Sequence, residues 1–167
     1  ITMCGNNGDP IYHSKFHELC SELKKINCVI KITTNGSGKK KEWWEKLCSI
    51  LDKKDNITFS IDGLEDTNHL YRKNAKWNSI MDAIKVVTKS QLNTTWKYIV
   101  FKHNQHQIQE AESISKELGI KNFRLEKSDR WWKQDLMPDE KYVDISYKHQ
   151  ILPMFLIEYK ASSVSRI

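Results

Sequence analysis

Cys28-Val29-Ile30-Lys31-Ile32-Thr33-Thr34-Asn35-Gly36 is the stretch that decides the fold. From Cys28 to Thr34 it is β-branched and apolar, as a buried strand is, and Asn35-Gly36 ends it in a turn. The segments on either side are helical. Residues 14–25 place Phe16, Leu19, Cys20 and Leu23 at helical spacing, with Ser14 as candidate N-cap. Residues 42–53 put Trp43, Leu47, Ile50 and Leu51 on one helix face.

The same alternation extends outward. Residues 1–4 read as the end of a strand, residues 57–61 as the next strand after the second helix, and residues 94–101 and 122–126 as two more. Residues 78–89 and 107–118 are the helices between them, the latter stopped by Gly119, where the backbone turns to positive φ. Strand–helix units of roughly 30 residues, each crossing back, imply parallel strands with helices outside. The right-handed crossover rule leaves two architectures, an open doubly wound sheet or a barrel-type (β/α) array. In both, functional residues sit at the carboxyl ends of the strands. Those ends are residues 5–10, 34–37, 60–63, 102–104 and 126–130.

Composition excludes several classes. A chain of 167 residues holds about one core, and 39% apolar with 29% charged residues is too apolar for disorder. The longest apolar run, residues 151–157, contains Pro153 and is too short to span a bilayer. No secretory leader is seen, so a cytoplasmic protein with reduced cysteines is expected. The net charge of +6 is spread along the chain. Its one dense cluster, Lys39-Lys40-Lys41, reads as a solvated loop entering a helix, and no nucleic-acid signature accompanies it.

The strand ends carry the candidate chemistry. Gly5-Asn6-Asn7-Gly8-Asp9-Pro10 follows a strand directly; its glycines allow close approach of a ligand to the backbone, and Asp9 accepts from an ammonium. It lacks the features of a phosphate loop. Ser60 and Asp62 stand two apart at the third strand end and point the same way if the strand continues. Each segment alone is also explained as a turn.

Together, Gly5-Asn6-Asn7-Gly8-Asp9-Pro10, Ile32-Thr33-Thr34-Asn35-Gly36-Ser37, Phe59-Ser60-Ile61-Asp62-Gly63-Leu64 and Tyr71-Arg72 ahead of a helix led by Trp77 resemble the radical SAM superfamily. The nearest look is to its SPASM-like branch of peptide-modifying and maturase enzymes, over residues 1–130. The resemblance implies an α/β fold, a partial (β/α)6 TIM-like barrel. This chain would hold its strands two to six, incomplete at the N-terminus, with residues 131–167 as a C-terminal extension or truncated remnant. It implies that S-adenosylmethionine binds at Gly5, Asn7, Gly8, Asp9, Asn35, Ser60, Asp62 and Arg72. Gly8-Asp9 stands where the family binds the methionine amino group, with Asp for the usual Glu. Ser60 and Asp62 stand where it contacts the methionine carboxylate and ribose, and Arg72 where it places a base toward that carboxylate.

A [4Fe–4S] cluster, an electron donor such as a flavodoxin or ferredoxin, a 5′-deoxyadenosyl radical and a peptide or protein substrate are implied in the same way. The family's CxxxCxxC motif is not in this sequence. Cys4, Cys20, Cys28 and Cys48 match no iron–sulfur or zinc spacing, so the cluster ligands are expected upstream and this piece alone is expected to be inactive. The alternative is a non-catalytic α/β module that binds a nucleotide or peptide without a cluster. Among the remaining constellations, Cys20 and Cys28 read as small buried hydrophobes, and His13 and His17 as solvated or capping groups. His103 and His106 flank a strand end. Trp43-Trp44 and Trp131-Trp132 cannot all face one core, so one of each pair is expected at an interface. Residues 151–167 are expected to pack poorly.

Overall fold

The computed structural model describes residues 1–5, 8–128 and 136–143. The expectations for Asn7, Trp131-Trp132 and residues 151–167 lie outside them. Strands β1 (Thr2–Met3), β2 (Lys31–Thr34), β3 (Asn56–Ser60), β4 (Asn93–Ile99) and β5 (Asn122–Glu126) alternate with helices. The helices are α1 (Phe16–Lys25), α2 (Lys41–Ile50), α3 (Asn68–Tyr71), α4 (Trp77–Val87) and α5 (Ile108–Glu117), and α6 (Glu140–Val143) follows β5. Every neighbouring strand pair is parallel, and the order across the sheet is β1-β2-β3-β4-β5. A doubly wound sheet reverses its strand order. Sequential order with right-handed crossovers puts the crossover helices α1, α2, α4 and α5 on one face, so the architecture is the barrel-type one. No helix among the described residues is long and apolar enough to cross a membrane.

The register separates two faces. Ile32, Ile57, Phe59, Trp96, Tyr98 and Leu125 are buried on the helix side, where they meet Cys20, Trp44, Leu47, Ile80, Ile84 and Ala111. The alternate positions carry polar groups. Thr33, Thr58, Thr95 and Asn122 form one row across four strands, and Ser60, Lys97 and Arg124 form the next row toward the C-terminal ends. Period-two alternation thus builds an apolar outer layer and a polar inner wall from the same strands.

Several boundaries differ from the sequence expectations, each for a local reason. β2 starts at Lys31 rather than Cys28, because the amides of Cys28 and Ile30 are used elsewhere, donating to the Leu23 carbonyl and the Asp55 carboxylate. Ser14 is not the N-cap. α1 starts at Phe16 after a 3₁₀ turn over Pro10–Tyr12, and His13 Nδ1 accepts from the Lys15 amide at 3.2 Å. In α2 it is Trp44, not Trp43, that fills the core. Trp43 lies in the groove against Phe16 and His17, with ring centroids 5.8 and 4.6 Å away. Trp44 is thus fully buried, and Trp43 is partly buried against the same core. Cys28 is half-buried, not in the core, whereas Cys20 is fully buried.

Candidate functional site

A cavity of about 530 Å3 opens on the rim formed by the C-terminal strand ends. Its wall is assembled from distant segments: Gly5 and Asp9 after β1, Thr33 to Asn35 at the end of β2, Ser60 of β3, Tyr71 of α3 and its C-cap Arg72, Lys97 and Ile99 of β4, and Glu126 to Ser128 at β5. Parallel strands in register are what bring these residues to one place. Of the residues singled out in the sequence, Gly5, Asp9, Asn35, Ser60 and Arg72 meet at this cavity. Gly8 and Asp62 do not line it, and the segment 102–104 stays away from it.

Asp9 ties two loops together. Its Oδ2 accepts from Thr34 Oγ1 at 2.9 Å and the Asn35 amide at 2.7 Å, and its Oδ1 caps the following turn through the Ile11 amide at 3.3 Å. A carboxylate has about four acceptor positions, so little beyond one remains for a ligand. Asn35 in turn accepts from the Ser37 amide at 2.8 Å, closing an Asx turn beside Gly36, whose φ of 75° suits glycine. Ser60 is 4% exposed, and its hydroxyl has no hydrogen-bond partner among the described residues.

Asp62 is fully buried beside the cavity. Its Oδ2 accepts from Arg72 Nε at 2.6 Å and its Oδ1 from the Ile99 amide at 2.7 Å. Burial pushes its carboxyl pKa up, against the opposing influence of Arg72 and the Ile99 amide. Asn104 braces the same corner, donating to the carbonyls of Asp62 and Ile99 and accepting from the Phe101 amide. The strand-end segment around Asn104 is thus a brace for the loops. Of the nearby histidines, His103 stacks on Phe101 with centroids 5.4 Å apart, and burial lowers its pKa.

Lys97 escaped the sequence reading, and Glu126 was read there only as the start of the last strand end. Lys97 sits in the inner row beside Ser60, 3.5 Å from Glu126, which Arg124 holds at 2.6 Å. The available signal was a lysine between Trp96 and Tyr98: in an alternating strand, a charge flanked by two buried aromatics must face the other wall. Cys4 is exposed and lines the cavity. Cys20 lies in the core, where burial pushes its thiol up to about 11, and Cys48 is half-buried. No group of three or more His, Cys, Asp or Glu residues is placed to hold a metal ion among the described residues. An iron–sulfur cluster therefore does not fit the described residues, whereas a zwitterion fits a wall with Asp9 and Arg72 on it.

No protein-family model matches the sequence, and neither does any curated protein. Solved structures do match. SuiB from Streptococcus suis bound to S-adenosylmethionine aligns with a TM-score of 0.61 and 19% identity, covering 72% of this chain and 28% of that one. A domain of pyruvate-formate lyase-activating enzyme from Bacteroides vulgatus aligns with a TM-score of 0.69 and 12% identity, covering 89% and 90%. TYW1 with a lysine-pyruvate adduct bound aligns at 0.60 and 16%, covering 84% and 46%. These neighbours are radical SAM enzymes, and at such identities the likeness is one of fold. The chain spans only about a quarter of the length of SuiB and under half that of TYW1.

Proposed function

We propose that this chain is the S-adenosylmethionine-binding core of a radical SAM enzyme, with residues 1–130 as the core and 131–167 as an extension. Its [4Fe–4S] cluster would be held by ligands outside the described residues, and its substrate would be a peptide or protein. The observation that supports this reading is the convergence of Gly5, Asp9, Asn35, Ser60 and Arg72 on one rim cavity. That cavity belongs to a fold shared with a protein solved with S-adenosylmethionine bound. When bound, S-adenosylmethionine, given one electron by the reduced cluster, would supply methionine and a 5′-deoxyadenosyl radical for hydrogen abstraction from the substrate.

The chain's own residues do the binding. Asp9 presents its remaining acceptor position to the ligand ammonium, and the Ser60 hydroxyl offers a donor that no described protein group claims. Arg72 presents guanidinium nitrogens to the carboxylate. None of them is placed as an acid–base catalyst. Isothermal titration of the chain with S-adenosylmethionine tests the reading: saturable one-site binding is expected, weakened about fivefold by Ser60→Ala, the scale of one lost hydrogen bond. Absence of binding, or binding indifferent to Ser60→Ala, overturns it. Binding without an absorbance band near ~400 nm in the reconstituted full-length protein would favour the non-catalytic module instead.

A further inference from the structure

The Asp62–Arg72 pair divides one guanidinium between two tasks. Asp62 spends both carboxylate oxygens inward, on Arg72 Nε and the Ile99 amide, and its own amide donates to Asn68 Oδ1 at 2.9 Å. The Asn104 side chain holds its carbonyl at 2.9 Å. Asp62 is thus locked on every polar atom and absent from the cavity wall. Arg72 is in that wall. A guanidinium has five N–H donors; one is spent on Asp62, and the four on Nη1 and Nη2 have no hydrogen-bond partner among the described residues. An arginine engages a carboxylate either side-on, through Nε and one Nη, or end-on, through both Nη atoms. With Nε taken, only the end-on mode remains.

We infer that Asp62 is a positioning residue: it holds Arg72 by Nε so that both terminal nitrogens meet a ligand carboxylate end-on, with Lys97 as a second positive charge at the same end of the cavity. This rests on the proposed binding of S-adenosylmethionine and names which atoms read its carboxylate. Charge supports the assignment. Lys97 neighbours Ser60 in register, and its nearest carboxylate, Glu126, is taken at shorter range by Arg124. Among the described residues, the charged side chains lining the cavity are Arg72, Lys97 and Lys127 against Asp9 and Glu126, an excess of one positive charge. The Tyr71 ring, 5.2 Å from the guanidinium carbon, limits its swing.

The test compares two ligands that differ only in the carboxylate, S-adenosylmethionine and decarboxylated S-adenosylmethionine, titrated into the chain. The folded chain is expected to favour the former by roughly 10- to 100-fold, the range for charge-assisted hydrogen bonds. Asp62→Asn presents an amide NH2 to one of two donors, so Arg72 loses its fixed pose and the preference falls to about threefold or less. The ratio is unmoved by a mere loss of folded material. Arg72→Lys keeps a cation for Asp62 and so protects folding should Asp62→Asn fail to fold. Its single nitrogen cannot serve both partners, and the ratio is expected to collapse there too. An unchanged ratio in Arg72→Lys, or in folded Asp62→Asn, overturns the positioning role. A wild-type chain that binds both ligands alike defeats this inference alone, whereas one that binds neither defeats the proposed function beneath it.

Discussion

β3 is bracketed by two fully buried aspartates, and the two ends use them differently. At its N-terminal end Asp55 accepts from the Ile30 amide at 2.7 Å, the Asp52 amide at 2.8 Å and Lys24 Nζ at 2.9 Å. Lys24 is shared with Asp52 at 2.7 Å and also donates to the Cys28 carbonyl. Every group there is turned toward another part of the protein, stitching α1, β2 and the turn before β3 together. Beyond the C-terminal end, Asp62 also pairs with a cation, but that cation keeps donors facing a cavity. A parallel β/α array separates the two duties by strand polarity: stability at the amino ends, ligand chemistry at the carboxyl ends.

The sharpest way to break this contrast is Asp55→Ala. It leaves the buried Ile30 amide, the Asp52 amide and Lys24 without their acceptor and is expected to destabilise the chain by about 3–5 kcal/mol in urea denaturation. Its preference between the two ligands above should be unchanged; a changed preference would show that the ends are not separate. Arg72→Ala comes next. Asp62 is then buried without its cation, so a loss of about 3 kcal/mol in stability is expected together with a loss of about 2–4 kcal/mol in S-adenosylmethionine binding. Stability and binding thus fall together at this end and only stability falls at the other. Gly63→Ala sharpens the C-terminal end without touching a charge. Gly63 sits at φ 141°, and a Cβ there would collide with Thr67 Oγ1 and meet the Asn68 amide at 2.9 Å. A loss of about 1–3 kcal/mol is expected, measurable as a lower urea midpoint.

The smallest effect is electrostatic and belongs to the Asp55 end. Hydrogen bonds from Lys24 and the Lys54 amide lower the Asp52 pKa below its ordinary 3.8, so its contribution is present above that value and lost as pH falls through the lowered one. Burial lowers the Lys24 pKa, but its bonds to Asp52 and Asp55 outweigh that and raise it above 10.5. Its contribution is present below 10.5 and lost as pH rises through the raised value. Thermal midpoints followed against pH should therefore sag at both extremes, and Lys24→Met should flatten both limbs. An alkaline limb that survives Lys24→Met must come from other groups, such as the buried Cys20 thiol.

The two ends were not equally legible in the sequence. The strand run ending at Thr34, the apolar spacing of the helices and the glycine after α5 spelled out the alternation, because period and turn chemistry are local properties. Asp9, Asn35 and Ser60 were legible as strand-end groups for the same reason, whereas Arg72 was assigned only through the family resemblance. The task of Asp62 was not legible. It depends on a partner ten positions on, at the end of a four-residue helix too short to show a period. Asp55 and Lys24 went unread because their bond joins the end of one helix to the turn after the next. The phase of Trp43 and Trp44 failed similarly, since either fits a helix face until α1 supplies the groove for one of them.

The strand order has a consequence for how the chain assembles. Each strand pairs with the strand just before it in sequence, at separations of roughly 30 residues, as in Lys31 with Asn56 and Thr95 with Asn122. Among the described residues no strand inserts between two earlier ones, so pairing these strands closes no loop longer than a single βα unit. The sheet can grow by accretion from its first pair, each new unit finding its template already laid down. Growth in that order would complete the rim last, with β4 and β5 bringing Lys97 and Glu126 to the loops that Asp9 ties.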